Sequence, residues 1–307
     1  MTVAVTPRTW PSGHLFDLAG AARGQIEGLL DLAVEMREAR AARRHASMLE
    51  AEIVALAFFE ASTRTRISFE LAGRALGATV VDLDVAGSSV AKGESLVDTL
   101  RTLERMGTTT LVLRHQEPGA PQLAARATGM RIVNAGDGAH AHPTQALSDA
   151  LTLREAIGPL DGRVVAIVGD VVHSRVARSN IHCLTGLGAR VRVGGPPEWV
   201  AGFDGWPAVE VTTTLEATLR GADAVMALRA QLERGAELPE DRLAWRLDSD
   251  RMRLAAPGAP ILHPGPTNEG VELTAELATA PGSLIGRQVA NGVPIRMAVL
   301  ARLAGMA

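Results

Sequence analysis

The 307-residue chain has one cysteine, Cys183, and no tyrosine. A lone cysteine excludes an internal disulfide and a cysteine-rich metal site, and it fits a reducing, cytoplasmic setting. The missing tyrosine has no physical explanation. Apolar runs are short and are interrupted by Gly, Arg or Asp, so none is expected to span a bilayer. No basic segment followed by an apolar one stands at the start, so no signal peptide is expected. Neither charge sign dominates. Thirty-one Lys and Arg against 34 Asp and Glu leave a net charge of −3, which argues against bulk attraction to nucleic acid or an anionic membrane surface.

The composition is that of a folded chain. Hydrophobic residues at 47% and charged residues at 21% supply a full core, and the length suits two domains of ordinary size. Thirty-one glycines suit an α/β chain with many tight turns. The expected class is therefore α/β, in two domains.

The most informative stretch follows the apolar run Ile53–Phe59, which reads as a buried strand. Ser62-Thr63-Arg64-Thr65-Arg66 comes next, and then a helical pattern over Ile67–Leu76 closed by Gly77, with Ile67 and Leu71 on its apolar period. A strand-to-helix turn aims free backbone N–H groups and the positive end of a helix dipole at one point. Ser62, Thr63 and Thr65 add hydroxyl donors, and Arg64 adds a planar fork that matches phosphate oxygens. Surface capping would account for a serine there. It accounts poorly for five polar residues in a row after a buried strand.

Upstream, residues 1–14 read as an irregular arm, and Asp17–Arg40 has a helical face of Leu18, Ala22, Ile26, Leu29, Leu30, Ala33 and Met36. Downstream, Thr79–Leu83 is a second strand. Ala86–Ser95 is a Gly/Ser loop carrying Ser88 and Lys92, and composition alone makes it a solvated surface loop. Leu111–Leu113 and Ile132–Val133 are further strands. Arg114 follows the first of these, at the strand end from which α/β sheets line their crevices. After Asn134–Gly138 the chain reaches His140, His142, Pro143, Thr144 and Gln145. Pro143 suits the first turn of a helix that runs to about Glu155. His142 then sits at a helix N-terminus, where the dipole favours neutral imidazole able to donate one hydrogen bond to a carbonyl oxygen. His140 and His142 have no further ligand at suitable spacing for a metal.

Gly158–Gly162 is a turn cluster and marks the domain boundary region. Arg163–Val168 is a buried strand ending in Gly169-Asp170, without the full glycine pattern of a dinucleotide site. Arg175 opens the next helix. Val191–Val193 is a strand, Gly194–Pro207 a loop, Leu215–Arg220 a short helix, and Ala224–Leu228 a strand that ends in Arg229-Ala230-Gln231. Residues 235–252 look less regular and able to close over a substrate. Ile261-Leu262 leads into His263-Pro264-Gly265-Pro266, where two prolines flanking a glycine fix backbone carbonyls. Gln288–Arg302 is a helix expected to break near Gly292-Val293-Pro294.

Glu60-Ala61-Ser62-Thr63-Arg64-Thr65-Arg66 with Ser68-Phe69-Glu70, His142-Pro143-Thr144-Gln145, Arg229-Ala230-Gln231 and His263-Pro264-Gly265-Pro266 together resemble the aspartate/ornithine transcarbamoylase family, from about Leu15 to the C-terminus. The resemblance implies two domains that are each a mainly parallel sheet flanked by helices: a carbamoyl-phosphate domain over 1–142, completed by a returning helix at 287–307, and an amino-acid domain over 143–286. It implies that Ser62, Thr63, Arg64, Thr65 and Arg114 hold phosphate, with Ser88 and Lys92 lent by a neighbouring subunit of a homotrimer. Arg64, Thr65, Lys92, Arg114, His142 and Gln145 would be the catalytic set, with Gly265 and Pro266 completing the carbamoyl-phosphate site. L-Aspartate would meet Lys92, Arg175 at its α-carboxylate, Arg229 at its side-chain carboxylate and Gln231 at its amine. The implied reaction is carbamoyl transfer from carbamoyl phosphate to L-aspartate, early in pyrimidine biosynthesis, without cofactor or metal. A regulatory or dihydroorotase-like partner is compatible with it.

Ornithine as acceptor would want an acidic residue where Arg229 stands. An inactive assembly partner would not keep every chemical position filled. A nucleotide-dependent oxidoreductase is suggested only by Val164–Asp170. Many relatives carry Arg at the position of Glu269, which bears on an ion pair steadying a closed loop.

Overall fold

The computed structural model describes residues 13–42, 47–85, 87–229, 242–268 and 270–306. They divide into two units, one from the described parts of 1–18, 24–147 and 292–307, the other from 19–23 and 148–291. The crossings at 147/148 and 291/292 fall inside helices. No helix among the described residues is long and apolar enough to cross a membrane.

The first unit alternates strand and helix. Helix α1 (Arg23–Ala41) precedes β1 (Ile53–Phe58), α2 (Thr63–Ala75), β2 (Thr79–Leu83), α3 (Leu96–Arg105), β3 (Thr110–His115), α4 (Ala120–Ala127), β4 (Arg131–Asp137) and the start of α5 (Pro143–Ile157). All strand pairs are parallel, in the order β2-β1-β3-β4. Sequential βαβ links permit this because each helix spans the crossover that parallel strands need. Residues 54–57 of β1 are fully buried. They read as a continuous apolar run because the sheet is covered on both faces.

The second unit continues α5 and adds β5 (Val164–Val168), α6 (Arg175–Gly186), β6 (Arg190–Gly194), α7 (Pro197–Val200), β7 (Val209–Thr212), α8 (Leu215–Leu219), β8 (Ala224–Ala227), α9 (Ser249–Met252), β9 (Ile261–Leu262), α10 (Ala275–Thr279) and the first half of α11 (Ile285–Leu303). Its sheet is also parallel, in the order β7-β6-β5-β8-β9. One core packs Ala166, Val168, Leu219, Val225, Ala227, Leu247, Ile261 and Leu273 together.

Four expectations are corrected. Helix α1 starts at Arg23, not Asp17, because Leu15 is taken up by β4: its N–H bonds to Ile132 O and its carbonyl accepts from Asn134 N–H. Helix α2 starts at Thr63, not Ile67, so Arg64 and Thr65 belong to its first turn. Its buried face is Thr65, Phe69, Ala72 and Gly73, whereas Ile67 and Leu71 are 44% and 41% exposed. Burying one Phe is worth about 1.5–3 kcal/mol, and Gly73 lets the helix approach the sheet: a Cβ there would lie 2.7 Å from the Val80 side chain. Strand β7 and helices α4 and α10 lacked a clear pattern. Helix α11 runs unbroken through Pro294. Pro294 removes one backbone donor and costs about 3 kcal/mol in an isolated helix. Burial of Val293, Ile295, Met297, Val299 and Leu300 offsets that cost.

Candidate active site

In the first unit the parallel strands place all their C-terminal ends on one edge. The chain leaves β1 toward β2 and returns to β3 on the other side, so the sheet has a switch point between β1 and β3. Crevices that bind ligands form at such points. The two strand ends are locked in register there, with Phe58 opposite Arg114 and Phe59 N–H donating to Arg114 O at 2.9 Å.

Ser62 is the N-cap of α2, in extended conformation, and its Oγ accepts from Thr65 N–H at 3.4 Å. Thr63 and Arg64 are exposed and Thr65 is buried. Ser68 Oγ donates to the carbonyls of Arg64 and Thr65 at 2.7 and 2.9 Å, which tightens the first turn. No acidic residue stands in that turn. A guanidinium at the positive end of a helix is unfavourable alone and suits a bound anion. Across the switch point, Arg114 Nη2 donates to Glu60 Oε1 at 2.5 Å and Nη1 to Ala135 O at 3.4 Å. These bonds hold the Arg114 fork at the strand end beside the turn.

His142 is buried and directly precedes α5; its carbonyl accepts from the N–H groups of Gln145 and Ala146. Gln145 is half-buried on the first turn. The loop before His142 is held by Asp137, a fully buried carboxylate. Ser88 and exposed Lys92 stand on the loop after edge strand β2, where Ser88 Oγ donates to Val85 O at 2.9 Å. Thus Ser62–Thr65, Arg114, His142 and Gln145 share one edge of one sheet, and the loop of Ser88 and Lys92 leaves from the same edge.

The second unit repeats the plan. Its switch point lies between β5 and β8. Arg175 is the first residue of α6, is 3% exposed, and follows the N-cap Ser174, whose Oγ accepts from Ala177 N–H. Again the first turn holds no acid. Arg229 follows β8 and is half-buried. The strands approach closely here: Leu228 N–H donates to Val168 O at 2.8 Å, and a Cβ on Gly169, at φ +122°, would come within 3.2 Å of Leu228 O. Gln231 and Glu269 lie outside the described residues.

Gly265 and Pro266 follow β9 on the same edge, joined by a cis peptide. Their segment is anchored by a buried chain of hydrogen bonds. Gly265 N–H donates to His263 Nδ1, His263 N–H to Gln288 Oε1, Gln288 Nε2 to Asp149 Oδ1, and Asn180 Nδ2 to Asp149 Oδ2, at 2.8–2.9 Å. Asp149 accepts only, so it fixes which end of the Gln288 amide faces His263. Glu60, Asp137, Asp149 and Gln288 are the supporting residues that sequence reasoning left without a role. Only Glu60 carried a signal, as the first residue of the motif around Ser62.

Comparison with known proteins matches both parts of the chain to one family. Residues 13–155 match the aspartate/ornithine carbamoyltransferase carbamoyl-phosphate binding domain, and 161–303 the Asp/Orn binding domain of the same enzymes. The chain belongs to the aspartate/ornithine carbamoyltransferase family. It is 50% identical over 305 residues to the aspartate carbamoyltransferase catalytic subunit of Gluconacetobacter diazotrophicus, covering 97% of this chain and 95% of the relative. It is 47% identical to that of a Roseiflexus species, covering 95% of each. The aspartate transcarbamoylase of Trypanosoma cruzi, solved with carbamoyl phosphate and aspartate, superposes with a TM-score of 0.86 at 30% identity over 95% of each chain. Ornithine carbamoyltransferase of Thermus thermophilus gives 0.84 at 30% identity, over 96% of this chain and 99% of that one.

Proposed function

We propose that this chain is an aspartate carbamoyltransferase, which transfers the carbamoyl group of carbamoyl phosphate to the α-amino group of L-aspartate. The products are N-carbamoyl-L-aspartate and phosphate, and the step belongs to early pyrimidine biosynthesis. The observation that carries this reading is a guanidinium on a helix N-terminus at the switch point of each sheet, Arg64 in one unit and Arg175 in the other. A reaction that joins a phosphorylated substrate to a dicarboxylic one needs two such anion grips. The near-50% relatives over the full chain are named for that reaction.

In this reading the phosphate lies on the first turn of α2, held by Ser62, Thr63, Arg64, Thr65 and Arg114. Thr65, Arg114 and His142 polarise the carbonyl, and Gln145, Gly265 and Pro266 fix the carbamoyl group. Arg175 takes the α-carboxylate of aspartate, Arg229 its side-chain carboxylate and Gln231 its amine. The neutral amine attacks the carbonyl carbon. The C–O bond to phosphate breaks as the tetrahedral intermediate collapses, and the departing phosphate accepts the amine proton. Rate is gained from positioning and from donors aimed at the developing oxyanion.

The acceptor is read as aspartate over ornithine because Arg229 presents a cation where ornithine carries its own. The fold does not separate the two, since family members of both kinds superpose equally well. Purified protein with carbamoyl phosphate should carbamoylate aspartate and leave ornithine unreacted. Equal turnover of ornithine would overturn the assignment.

The active site is also read as shared within a homotrimer, with Ser88 and Lys92 supplied by a neighbouring copy. Support comes from Lys92, exposed on the loop after an edge strand, and from Ile67, Leu71 and Val81, exposed apolar side chains on α2 and β2 that a partner would cover. Inactive Lys92→Ala and inactive Arg64→Ala chains, mixed into hybrid oligomers, should regain activity. Proven hybrids that stay inactive would refute sharing.

A further inference from the structure

Asp137 closes β4 at the edge that carries the first grip, and its carboxylate is wholly buried. Oδ1 accepts from Asn134 Nδ2 at 2.7 Å and from Ala141 N–H at 3.1 Å. Oδ2 accepts from Gly119 N–H at 2.9 Å. His140 Nδ1 lies 3.1 and 3.0 Å from the two oxygens. The backbone adds to the clamp: Asp137 N–H donates to Ala141 O, His140 N–H to Asp137 O, and Gly138 N–H to His115 O. Gly138, at φ +47°, has no room for a side chain, because a Cβ would meet Pro118 Cδ at 2.8 Å and Gln116 O at 3.0 Å.

One carboxylate therefore ties together two loops. The first, residues 115–119, leaves directly from Arg114. The second, 137–141, leads directly into His142. Asn134 is itself fixed, since its Nδ2 also donates to Phe16 O and its Oδ1 accepts from Gly136 N–H. We propose that Asp137 is a positioning residue for carbamoyl transfer, which sets the place of His142 relative to Arg114 by clamping the loop before α5 onto the loop after β3. The inference rests on the roles given to His142 and Arg114 in the proposed function.

The chemistry requires a carboxylate. Each oxygen faces a backbone N–H, Ala141 on one side and Gly119 on the other. An asparagine amide, in either orientation, would turn an N–H donor toward one of them. His140 can change tautomer to adapt, whereas the backbone donors cannot. One buried donor is left facing another, and the loop must shift.

The test is a double-mutant cycle of Asp137→Asn and His142→Ala, read in kcat, with inorganic phosphate binding measured on each variant. Asp137→Asn should lower kcat about 10- to 100-fold, in the range of positioning and oxyanion-donor losses, while phosphate affinity stays within about twofold, because the α2 turn is untouched and the Arg114 guanidinium keeps its own bonds to Glu60 and the Ala135 carbonyl. The two substitutions should be strongly non-additive, the double variant falling close to His142→Ala alone. Additive losses, a fully active Asp137→Asn protein, or equal loss of phosphate binding would overturn the proposal. If His142→Ala alone keeps parental kcat, the role given to His142 fails, and Asp137 then has nothing to act through. Should Asp137→Asn fail to fold, His140→Ala removes only the half-exposed partner of the carboxylate. It should show the same non-additivity at about two- to fivefold, and additivity there would equally overturn the proposal.

Discussion

The two units solve one problem with different amounts of chain. Each is a parallel sheet with a switch point, and each puts there a serine-capped helix whose first turn is basic and contains no acidic residue. In the first unit four consecutive residues, Ser62–Thr65, share one strand-to-helix turn, and Arg114 joins them from the end of β3 through the β1–β3 pairing. In the second, Arg175 and Arg229 come from the ends of β5 and β8, more than fifty residues apart, and are brought to one edge only by sheet pairing. A phosphate is compact, so in the proposed reading one turn and a single further arginine are enough for it. A dicarboxylic amine is longer, with charges at both ends, so its grip has to be distributed.

The largest expected effect breaks this comparison at its two arginines. Arg64→Gln should lower kcat/KM by at least about a hundredfold, the scale of one lost transition-state donor, with the loss appearing at carbamoyl phosphate. Arg229→Gln should weaken aspartate by a similar factor and leave phosphate binding nearly unchanged. Equal weakening of both substrates by either variant would show that the grips are not divided between the units.

The same contrast explains what the sequence disclosed. Buried strands, the polar turn after β1 and Pro143 at the head of α5 are local, and local signals were readable. Family and carbamoyl transfer to aspartate come from the resemblance that the motifs carry, and they agree with the comparisons. The start of α2 was misplaced by four residues because Ile67 and Leu71 look like core, whereas Phe69 chooses the face that meets the sheet. Asp137, Asp149 and Gln288 could not be assigned at all. Asp149 and Gln288 meet across 139 positions of sequence, and a single acidic residue on an apolar helix gives no hint of its partner. Arg175 and Arg229 fall between these cases. Their place at strand ends is legible, and their pairing on one sheet edge is a property of topology.

The smallest effect sharpens the comparison through pH. Burial pushes the pKa of His14 and that of His115 below the usual value, and both residues lie in the first unit. At His115 the carboxylates of Glu117, Glu60 and Asp137 partly oppose that shift, so His14 is the cleaner case. Each uses Nδ1 as an acceptor, His14 from Ile132 N–H at 3.1 Å and His115 from Glu117 N–H at 2.9 Å, and a protonated ring could not. The unfolded chain takes up these protons near pH 6.5, before the folded one does. Their contribution is therefore complete above about pH 6.5 and is lost as pH falls from there toward the lowered folded values. Hydrogen exchange should show amides of β3 and β4 losing protection as pH falls from 7 to 5.5. His14→Asn, whose Oδ1 keeps an acceptor near the same place without titrating, should flatten that dependence in the first unit and leave the second unchanged. An identical pH slope in parent and variant would remove His14 as the cause.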